Sequence, residues 1–292
     1  MSATVRAPLP RAPLTVIILS YNEEPNISYA LEGVVGWADQ VFVVDSYSTD
    51  RTVEMATSMG ATVVQHAWEN WAEQRNWALE ALPIRHEWVF FLDADESLTP
   101  EVQEEIAQAL PGVPEQVSGF YVNRRMIFLG RWLKHGGYNP TWVLRLVRRT
   151  RVRVHPAGDR EYFELSGEAR YLRRHMLHVD QKDLGFWIDK HDRISSLAAR
   201  ERAKGMDRYG GLLQQSRPGT AILERRRSIW LRRNVLAAMP RLLAPSVEFS
   251  YRYFFRLGLL DGKPGLIYCV LHAFWYPFLV EAKTEELRRS GC

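Results

Sequence analysis

Short apolar runs alternate with amphipathic segments through the first hundred residues of the chain. The apolar runs have strand length and are rich in Val, Ile and Phe; they are residues 14–19, 41–44, 61–64 and 88–92. Such runs are typical of strands that are buried on both faces of a parallel sheet. The segments between them have helical patterning and are residues 25–37, 51–59 and 71–82. This alternation predicts βαβ units and therefore an α/β fold with a mostly parallel sheet flanked by helices.

The pattern changes after residue 115. Residues 119–123 and 142–147 are predicted strands, and Arg145 lies among the apolar residues of the second one. A charge in that position must point to solvent or to a partner. From residue 184 onward, apolar residues recur at helical spacing. We therefore expect a loose tail at residues 1–13, an α/β domain at 14–180 and a helical, membrane-associating region at 181–292.

Polar side chains follow three of the predicted strands. Asn22 and Glu23 follow the first strand, Asp45 the second, and Asp93 and Asp95 the fourth. In open α/β sheets, ligands bind beyond the carboxyl ends of the strands. Aspartate oxygens suit Mg²⁺ or Mn²⁺, which predicts a cation site at Asp93 and Asp95. The alternative is a solvated acidic turn that precedes the next helix.

Glycine-rich phosphate loops are missing after these strands. Neither G-x-G-x-x-G nor G-x-x-x-x-G-K-[ST] follows any of them, which disfavours the usual dinucleotide-binding and P-loop folds. Bare carboxylates repel phosphate. If the crevice binds a phosphorylated ligand, a metal ion must bring the two together.

The charge of the chain is divided unevenly along its length. Residues 1–120 contain 5 Lys and Arg against 18 Asp and Glu, whereas residues 121–292 contain 33 against 16. The basic half suggests contact with phosphate, nucleic acid or an anionic membrane. Within residues 219–243, Trp and Leu alternate with five arginines, namely Arg225, Arg226, Arg227, Arg232 and Arg233. This pattern favours an interfacial membrane helix over a nucleic-acid binder; a basic surface helix packed on the sheet is the alternative.

No apolar run reaches the roughly 18–20 residues that a membrane span requires. The longest such run, residues 266–280, contains His272 and Pro277. We therefore expect a peripheral protein at the cytoplasmic face of the inner membrane. The two cysteines, Cys269 and Cys292, provide no disulfide framework, in keeping with a reducing compartment.

Four motifs together resemble family 2 glycosyltransferases of the GT-A fold. They are T-V-I-I-L-S-Y-N-E-E at residues 15–24, V-V-D-S-Y-S-T-D-R-T at 43–52, E-Q-R-N at 73–76 and L-D-A-D at 92–95. Residues 128–137, 144–149 and 257–266 are similar to the branch that contains lipopolysaccharide-core β-glucosyltransferases. The resemblance covers residue 14 to the C-terminus, and residues 200–245 are the least distinctive.

The resemblance implies inverting transfer from a nucleoside-diphosphate sugar, with Mg²⁺ or Mn²⁺ as cofactor. It places Asp93 near the ribose and the metal, and Asp95 on the metal that bridges the diphosphate. It also places Arg75 near the nucleotide. The residues implied to line the nucleoside pocket are Tyr21, Asn22, Glu23 and Asp45.

An inverting transfer requires a general base near the acceptor hydroxyl. Many relatives have a His-Glu pair six residues before a glycine that begins a strand. Taking Gly167 as that glycine makes Glu161 the predicted base, although its neighbour here is Arg160 rather than His. Asp159 is the second candidate. His178 matches a further family position and is expected either to reach the diphosphate or to be a core histidine.

The predicted activity is transfer of a sugar, most simply from a UDP-sugar, to a membrane-resident glycan. The expected acceptor is lipopolysaccharide core or a polyprenyl-linked oligosaccharide, and the expected partners include an anionic membrane surface but no nucleic acid. Two alternatives stay open, a nucleotidyltransferase and a non-catalytic adaptor that binds nucleotide sugars at the membrane.

Overall fold

The computed structural model describes residues 11–157, 160–203 and 239–290. Asp159 and most of the predicted basic segment 219–243, including its five arginines, lie outside these residues. The sheet-forming part of the chain is described almost without interruption.

Eleven strands occur in the described part of the chain. In chain order they are Ala12–Ser20 (β1), Ala38–Asp45 (β2), Thr62–Gln65 (β3), Trp88–Asp93 (β4), Glu96–Leu98 (β5), Val117–Phe128 (β6), Arg131–Trp132 (β7), Trp142–Arg148 (β8), Val152–Ala157 (β9), Arg160–Leu165 (β10) and Glu168–His178 (β11). The helices are Glu24–Glu32 (α1), Thr52–Ser58 (α2), Trp71–Ala81 (α3), Pro100–Ala109 (α4), Leu184–Ala203 (α5), Ala244–Ser250 (α6), Gly262–Tyr268 (α7) and Tyr276–Arg289 (α8).

The main sheet has the strand order β3-β2-β1-β4-β8-β6-β11-β5, with β7 paired to β6. Strands β3, β2, β1 and β4 run parallel, whereas β8 pairs antiparallel with both β4 and β6. The predicted α/β fold with a mostly parallel sheet flanked by helices is therefore confirmed. Strands β9 and β10 form a separate pair.

The core lies along the central strands. Phe90, Phe91 and Leu92 of β4 are fully buried, as are Ile17 and Ile18 of β1. This burial agrees with the prediction that residues 88–92 form a strand with both faces covered. Helix α1 is shorter than predicted and ends at Glu32. The chain turns soon afterwards at Gly36, which has a φ of +84°, a conformation that favours glycine.

The chain divides into two compact units. The first comprises residues 1–125, 141–154 and 164–181, and the second comprises residues 126–140, 155–163 and 182–292. The second unit thus includes two segments that the sequence analysis assigned to the α/β domain.

The second unit joins two of the sequence motifs. His135 in the segment 126–140 contacts Asp261 twice: its backbone N–H donates to Oδ2 at 2.9 Å, and its Nδ1 lies 2.8 Å from Oδ1. Arg131 donates to the Leu260 carbonyl at 3.2 Å. Residues 128–137 and 257–266, which are far apart in sequence, therefore form one structural element.

The expectation that no segment is long enough to span a membrane is wrong by the criteria of length and composition. The helical stretch Gly258–Arg289 is sufficiently long and apolar, and 33% of its most apolar window is buried within the protein. Pro277 does not end it, because the chain is helical on both sides of this proline: Cys269–Trp275 form a π-helix and Tyr276–Arg289 an α-helix. Length alone is weak evidence for a span, since core helices of soluble proteins meet the same criteria.

Candidate active site

Strand register brings the predicted polar residues to one edge of the sheet in the first unit. In β1, Leu19 pairs with Asp93 of β4, and Ser20 pairs with Asp45 of β2. The two aspartates therefore end the strands on either side of β1. Strand β11 lies near the other end of the strand order, where it pairs with β5 and places His178 opposite Glu96.

Asp45 lies beneath the loop that follows β2. Its side chain is fully buried and accepts hydrogen bonds from the Ser20 hydroxyl at 3.0 Å and the Ser48 N–H at 2.8 Å. The Gln65 side-chain amide donates to it at 3.3 Å. In this arrangement both carboxylate oxygens hold the loop, and the predicted role of Asp45 in lining the nucleoside pocket stays a prediction.

The loops after β1 and β2 hold each other through reciprocal hydrogen bonds. The Asn22 N–H donates to the Ser48 hydroxyl and the Thr49 N–H donates to the Asn22 side-chain oxygen, each at 2.8 Å. The Glu23 N–H donates to the Thr52 hydroxyl, also at 2.8 Å. Asn22 has a φ of +52°, which asparagine tolerates better than most residues. The backbone N–H groups of Asn22 and Glu23 and the side chain of Asn22 thus bind the loop after β1 to the loop after β2.

Asp50 completes this connection. Its carboxylate accepts from the Glu24 N–H at 3.1 Å and from the Thr52 N–H at 3.0 Å. Burial opposes ionisation of Asp50, but the hydrogen bonds from Thr52 and Glu24 outweigh it and lower its pKa. Tyr21 and Tyr47, in contrast, are both largely exposed. Of the residues in the two loops, these tyrosines present the most aromatic surface to a ligand.

Asp93 is held between two arginines. Its Oδ1 accepts from Arg75 at 2.8 Å, and its Oδ2 contacts Arg145. Arg145 also donates to Glu96 at 2.7 Å, and Arg124 lies 3.2 Å from the same Glu96 oxygen. Arg145, the charged residue within β8, is therefore buried and paired with two carboxylates rather than directed to solvent.

The arginines keep Asp93 ionised. Burial alone would raise the pKa of Asp93, but attraction to Arg145 and Arg75 outweighs burial and holds the pKa well below its ordinary value. Glu96 is fully buried and also accepts from the Asp93 N–H at 3.1 Å. The network therefore fixes both the side chain of Asp93 and the turn that follows it.

Each of the last three side chains of the E-Q-R-N motif has a defined contact. Gln74 donates to the Ser46 hydroxyl at 3.2 Å, and Arg75 holds Asp93. Asn76 exchanges two hydrogen bonds with the backbone of Val154, at 2.8 and 3.0 Å. The motif on α3 thus connects the loop after β2, the end of β4 and the start of β9. Arg75 is buried behind Asp93, and a direct contact with nucleotide stays a prediction.

Asp95 and His178 form a partly exposed pair. The His178 Nδ1 lies 3.3 Å from the Asp95 Oδ1, and each side chain is 16% exposed. The Val179 N–H donates to the Asp95 carbonyl at 2.8 Å. Because Val179 directly follows His178, this hydrogen bond holds the backbone at His178 next to that at Asp95.

Asn26 in α1 holds the chain just beyond His178. Its side-chain amide donates to Glu23 at 2.7 Å and to Asp180 at 3.0 Å. Its side-chain oxygen accepts from the Gln181 N–H at 2.7 Å. Asn26 is buried, so this connection positions the end of β11 against the loop after β1.

The donor set at Asp95 and His178 fits a divalent cation that shares its coordination with a ligand. A carboxylate oxygen and an imidazole nitrogen are both metal-binding atoms, and Mn²⁺ accepts both types. Among the described residues, no group of three or more His, Cys, Asp or Glu forms a metal cluster. Substrate phosphates would therefore complete the coordination, as is common for such ions. Asp93 fits less well, because both its oxygens contact arginines.

Glu161 lies on β10 in the second unit, where His155 stacks on the neighbouring Tyr162 ring at a centroid distance of 4.9 Å. Gly167 directly precedes β11 and has a φ of +150°; an added Cβ would lie 2.2 Å from the Ser118 hydroxyl. The position therefore requires glycine. The roles of Glu161 and Asp159 as general bases stay predictions.

Three contributors to the site were not predicted as such. Glu96 and Arg124 complete the network around Arg145, and Tyr47 is the second exposed tyrosine. The clearest sequence signal was that for Tyr47, which lies inside one of the recognised motifs. For Glu96, the sole indication was its position three residues after Asp93.

A family model described as "Glycosyl transferase family 2" matches residues 15–178. An uncharacterized glycosyltransferase of Rickettsia bellii is 41% identical over 93 residues, which are 32% of this chain and 31% of the relative. The lipopolysaccharide core biosynthesis glycosyltransferase LpsC of Rhizobium meliloti is 30% identical over 155 residues, which are 50% of this chain and 54% of LpsC. The chain thus spans about a third to a half of the length of these relatives.

A solved structure with a similar fold is that of the mannosyltransferase PcManGT from Pyrobaculum calidifontis in complex with GDP-Man and Mn2+. The TM-score is 0.51 at 16% sequence identity, and the alignment covers 95% of this chain and 88% of that protein. At this identity the similarity concerns the fold.

Replacing Arg145 tests the buried network. Arg145→Met should lower the free energy of unfolding at pH 7 by about 3 kcal/mol, because the carboxylates of Asp93 and Glu96 lose a buried cationic partner. Chemical denaturation of the wild type and the variant measures this loss. Arg153→Met is the matched control: Arg153 pairs with Glu80 at 3.2 Å but both are mostly exposed, and such pairs contribute about 0–1 kcal/mol.

The loss should also depend on pH. Since the pKa of Asp93 is lowered in the folded protein, its stabilising contribution is present above its unfolded pKa of about 4 and disappears as pH falls toward the folded value. The difference between the wild type and Arg145→Met should therefore shrink below about pH 4. A difference that stays constant from pH 7 to pH 3 would contradict the network as described.

Proposed function

Because the chain belongs to glycosyl transferase family 2, we propose that it moves a sugar from a nucleoside-diphosphate sugar to a membrane-resident glycan with inversion at the anomeric carbon. The expected donor is a UDP-sugar. The expected acceptor is lipopolysaccharide core or a polyprenyl-linked oligosaccharide. The observation that carries the proposal is the partly exposed Asp95–His178 pair beside the carboxylate of Asp93, which two arginines hold.

The joined loops after β1 and β2 form the nucleoside side of the proposed site. Tyr21 and Tyr47 are exposed there, and aromatic faces can stack on a base. Asp93 is 34% exposed despite its two arginines, so its carboxylate can still accept from a ribose hydroxyl. Arg75, Asn22, Glu23 and Asp45 support this arrangement from beneath. The nucleoside thus binds to a surface whose shape is already fixed by internal hydrogen bonds.

The diphosphate lies at Asp95 and His178 in the proposed complex. A divalent cation held by these two residues, Mg²⁺ or Mn²⁺, would offset the charge that develops on the departing diphosphate. The Val179–Asp95 backbone hydrogen bond and the contact of Asn26 with Asp180 keep His178 close to Asp95. Their role is to orient the leaving group.

The transfer step exchanges one bond to the anomeric carbon for another. The acceptor hydroxyl oxygen forms the new bond to C1 while the bond from C1 to the diphosphate oxygen breaks, and its electron pair stays on the diphosphate. Glu161 takes the proton of the hydroxyl, with Asp159 as the alternative base. Attack from the face opposite the leaving group inverts the configuration.

The membrane-resident acceptor is supported by two observations. LpsC, which is similar over half of this chain, is described as a lipopolysaccharide core biosynthesis enzyme. Residues 121–292 also carry a large excess of Lys and Arg, which favours attachment to an anionic membrane. We propose a peripheral position at the cytoplasmic face of the inner membrane, where nucleotide sugars are available, and no role in binding nucleic acid.

The two alternatives differ from this proposal in their products. A nucleotidyltransferase would release pyrophosphate, and it would usually have glycine- or arginine-rich phosphate contacts where this chain has Ser-Tyr-Asn-Glu at residues 20–23. A non-catalytic adaptor would bind the nucleotide sugar without releasing nucleoside diphosphate. Product analysis therefore separates all three.

Metal dependence of donor binding is the first test. Calorimetry with UDP in Mn²⁺ should show tighter binding than in EDTA, because the carboxylates otherwise repel the diphosphate. Asp95→Asn and His178→Gln should each remove most of this difference while leaving the thermal unfolding midpoint nearly unchanged. Parallel titrations with GDP and dTDP identify the preferred base.

Asp93→Asn provides the contrast. It removes a charge that two buried arginines require, so it should lower stability more than Asp95→Asn does. Equal UDP affinity in EDTA and Mn²⁺ would show that no cation bridges the donor and the protein. If Asp93→Asn, but not Asp95→Asn, abolished the metal effect, the cation would belong to Asp93.

Replacement of the proposed base is the second test. Glu161→Gln should reduce kcat by about 10²-fold or more, the usual contribution of a general base, with donor affinity little changed. Asp159→Asn is the matched variant at the competing carboxylate. Loss of activity in Asp159→Asn with retention in Glu161→Gln would move the assignment to Asp159.

A further inference from the structure

Large apolar side chains are exposed around one turn of the second unit. Phe255 is 78% exposed, and five neighbours in sequence or structure are also exposed. We call these six residues the leucine–phenylalanine surface: Leu129, Phe254, Phe255, Leu257, Leu259 and Leu260. The hydrogen bond from Arg131 to the Leu260 carbonyl connects the turn at Leu129 with the turn at Leu257–Leu260.

Two of these leucines occupy backbone conformations that leucine disfavours. Leu129 has a φ of +48° and Leu257 a φ of +59°. Leu129 and Gly130 form the two-residue connection between β6 and β7, and both have positive φ, a geometry for which Asn-Gly is strongly preferred. The folded chain alone gives no advantage to an exposed leucine at either position. A binding partner for the leucine side chains would.

Cations outnumber acids in the two segments that form this surface. Residues 126–140 and 239–270 are all described and contain the cations Arg131, Lys134, Arg241, Arg252, Arg256 and Lys263. The same residues contain two acids, Glu248 and Asp261. Glu248 pairs with Arg252 at 3.1 Å and Asp261 with His135 at 2.8 Å, and neither acid is exposed. Lys134 and Lys263, in contrast, are exposed.

We propose that the leucine–phenylalanine surface inserts into the interfacial region of an anionic membrane. Apolar side chains would enter the boundary between headgroups and acyl chains, and the surrounding lysines and arginines would attract anionic headgroups. A second copy of this chain fits less well, because two such basic surfaces would repel each other. The inference extends the proposed function, since it identifies the face that meets the acceptor's membrane.

This attachment differs from the one expected from the sequence alone. The sequence pointed to arginines within 219–243, whereas the described surface is centred on the turn Arg256–Gly262 at the beginning of the long apolar helix. It also differs from a membrane span by Gly258–Arg289. Surface insertion depends on individual exposed side chains, whereas a membrane span would not depend on them.

Asparagine substitutions test the surface without disturbing the fold. Asparagine tolerates positive φ better than leucine, so Leu129→Asn/Leu257→Asn should keep or raise the thermal unfolding midpoint. The full chain should co-sediment with vesicles of phosphatidylglycerol and phosphatidylcholine and bind pure phosphatidylcholine weakly. The double variant should bind the anionic vesicles about tenfold more weakly, since two apolar side chains are lost. Lys134→Gln/Lys263→Gln should weaken vesicle binding more at low salt than at high salt, because salt screens the attraction between the lysines and the anionic headgroups.

Leu197→Gln is the matched control. Leu197 is 49% exposed, close to the 48% of Leu257, but lies on α5 away from the surface in sequence, so its replacement should leave vesicle binding unchanged. Wild-type binding by Leu129→Asn/Leu257→Asn would overturn the proposal and favour a span. A wild-type dimer that the double variant converts to monomer in the absence of vesicles would overturn it as well, by identifying an interface between copies. Vesicle binding requires neither donor nor acceptor, so this result is separate from that of the proposed activity.

Discussion

The site depends on Arg145, a buried cation placed between two carboxylates. Asp93 ends β4, Glu96 begins β5, and Arg145 on β8 contacts both. A guanidinium group can hold two carboxylates at fixed angles, which a lysine cannot do. Removing the arginine would leave fully buried Glu96 and partly buried Asp93 to repel each other. The turn that presents Asp95 therefore has its conformation set by an interaction that no ligand needs to touch.

Internal hydrogen bonds also hold the two loops that carry many of the motif residues. Asp45, Asn22 and Glu23 form hydrogen bonds within the protein, and these bonds set the shape of the two joined loops. The groups that we propose to meet a ligand include Tyr21, Tyr47, Asp93, and the pair Asp95 and His178. Such a site is organised before the donor binds, which lowers the entropic cost of binding and gives the chemistry fixed dipoles and charges.

The sequence predicted the parallel sheet and its polar edge because both follow from local patterns. Buried runs such as residues 88–92 specify strands, and the residues at their ends must then lie at one edge. The distinction between Asp93 and Asp95 could not be predicted in this way, since it depends on Arg145, which is about fifty residues away in sequence and is brought close only by antiparallel pairing. The contact between His178 and Asp95 likewise depends on the register of β11 against β5. The long helix Gly258–Arg289 was missed because Pro277 was taken as a break, although the chain is helical on both sides of it.

The central claim is sugar transfer from a nucleotide sugar to a membrane glycan, and product analysis tests it most directly. Purified protein is incubated with a UDP-sugar, Mn²⁺ and membranes that carry the acceptor glycan, and the released nucleotide and the anomeric configuration of the product are determined together. The account predicts release of UDP that depends on the acceptor, with a β-linkage formed from an α-linked donor. Release of pyrophosphate, or retention of the donor's configuration, would contradict it.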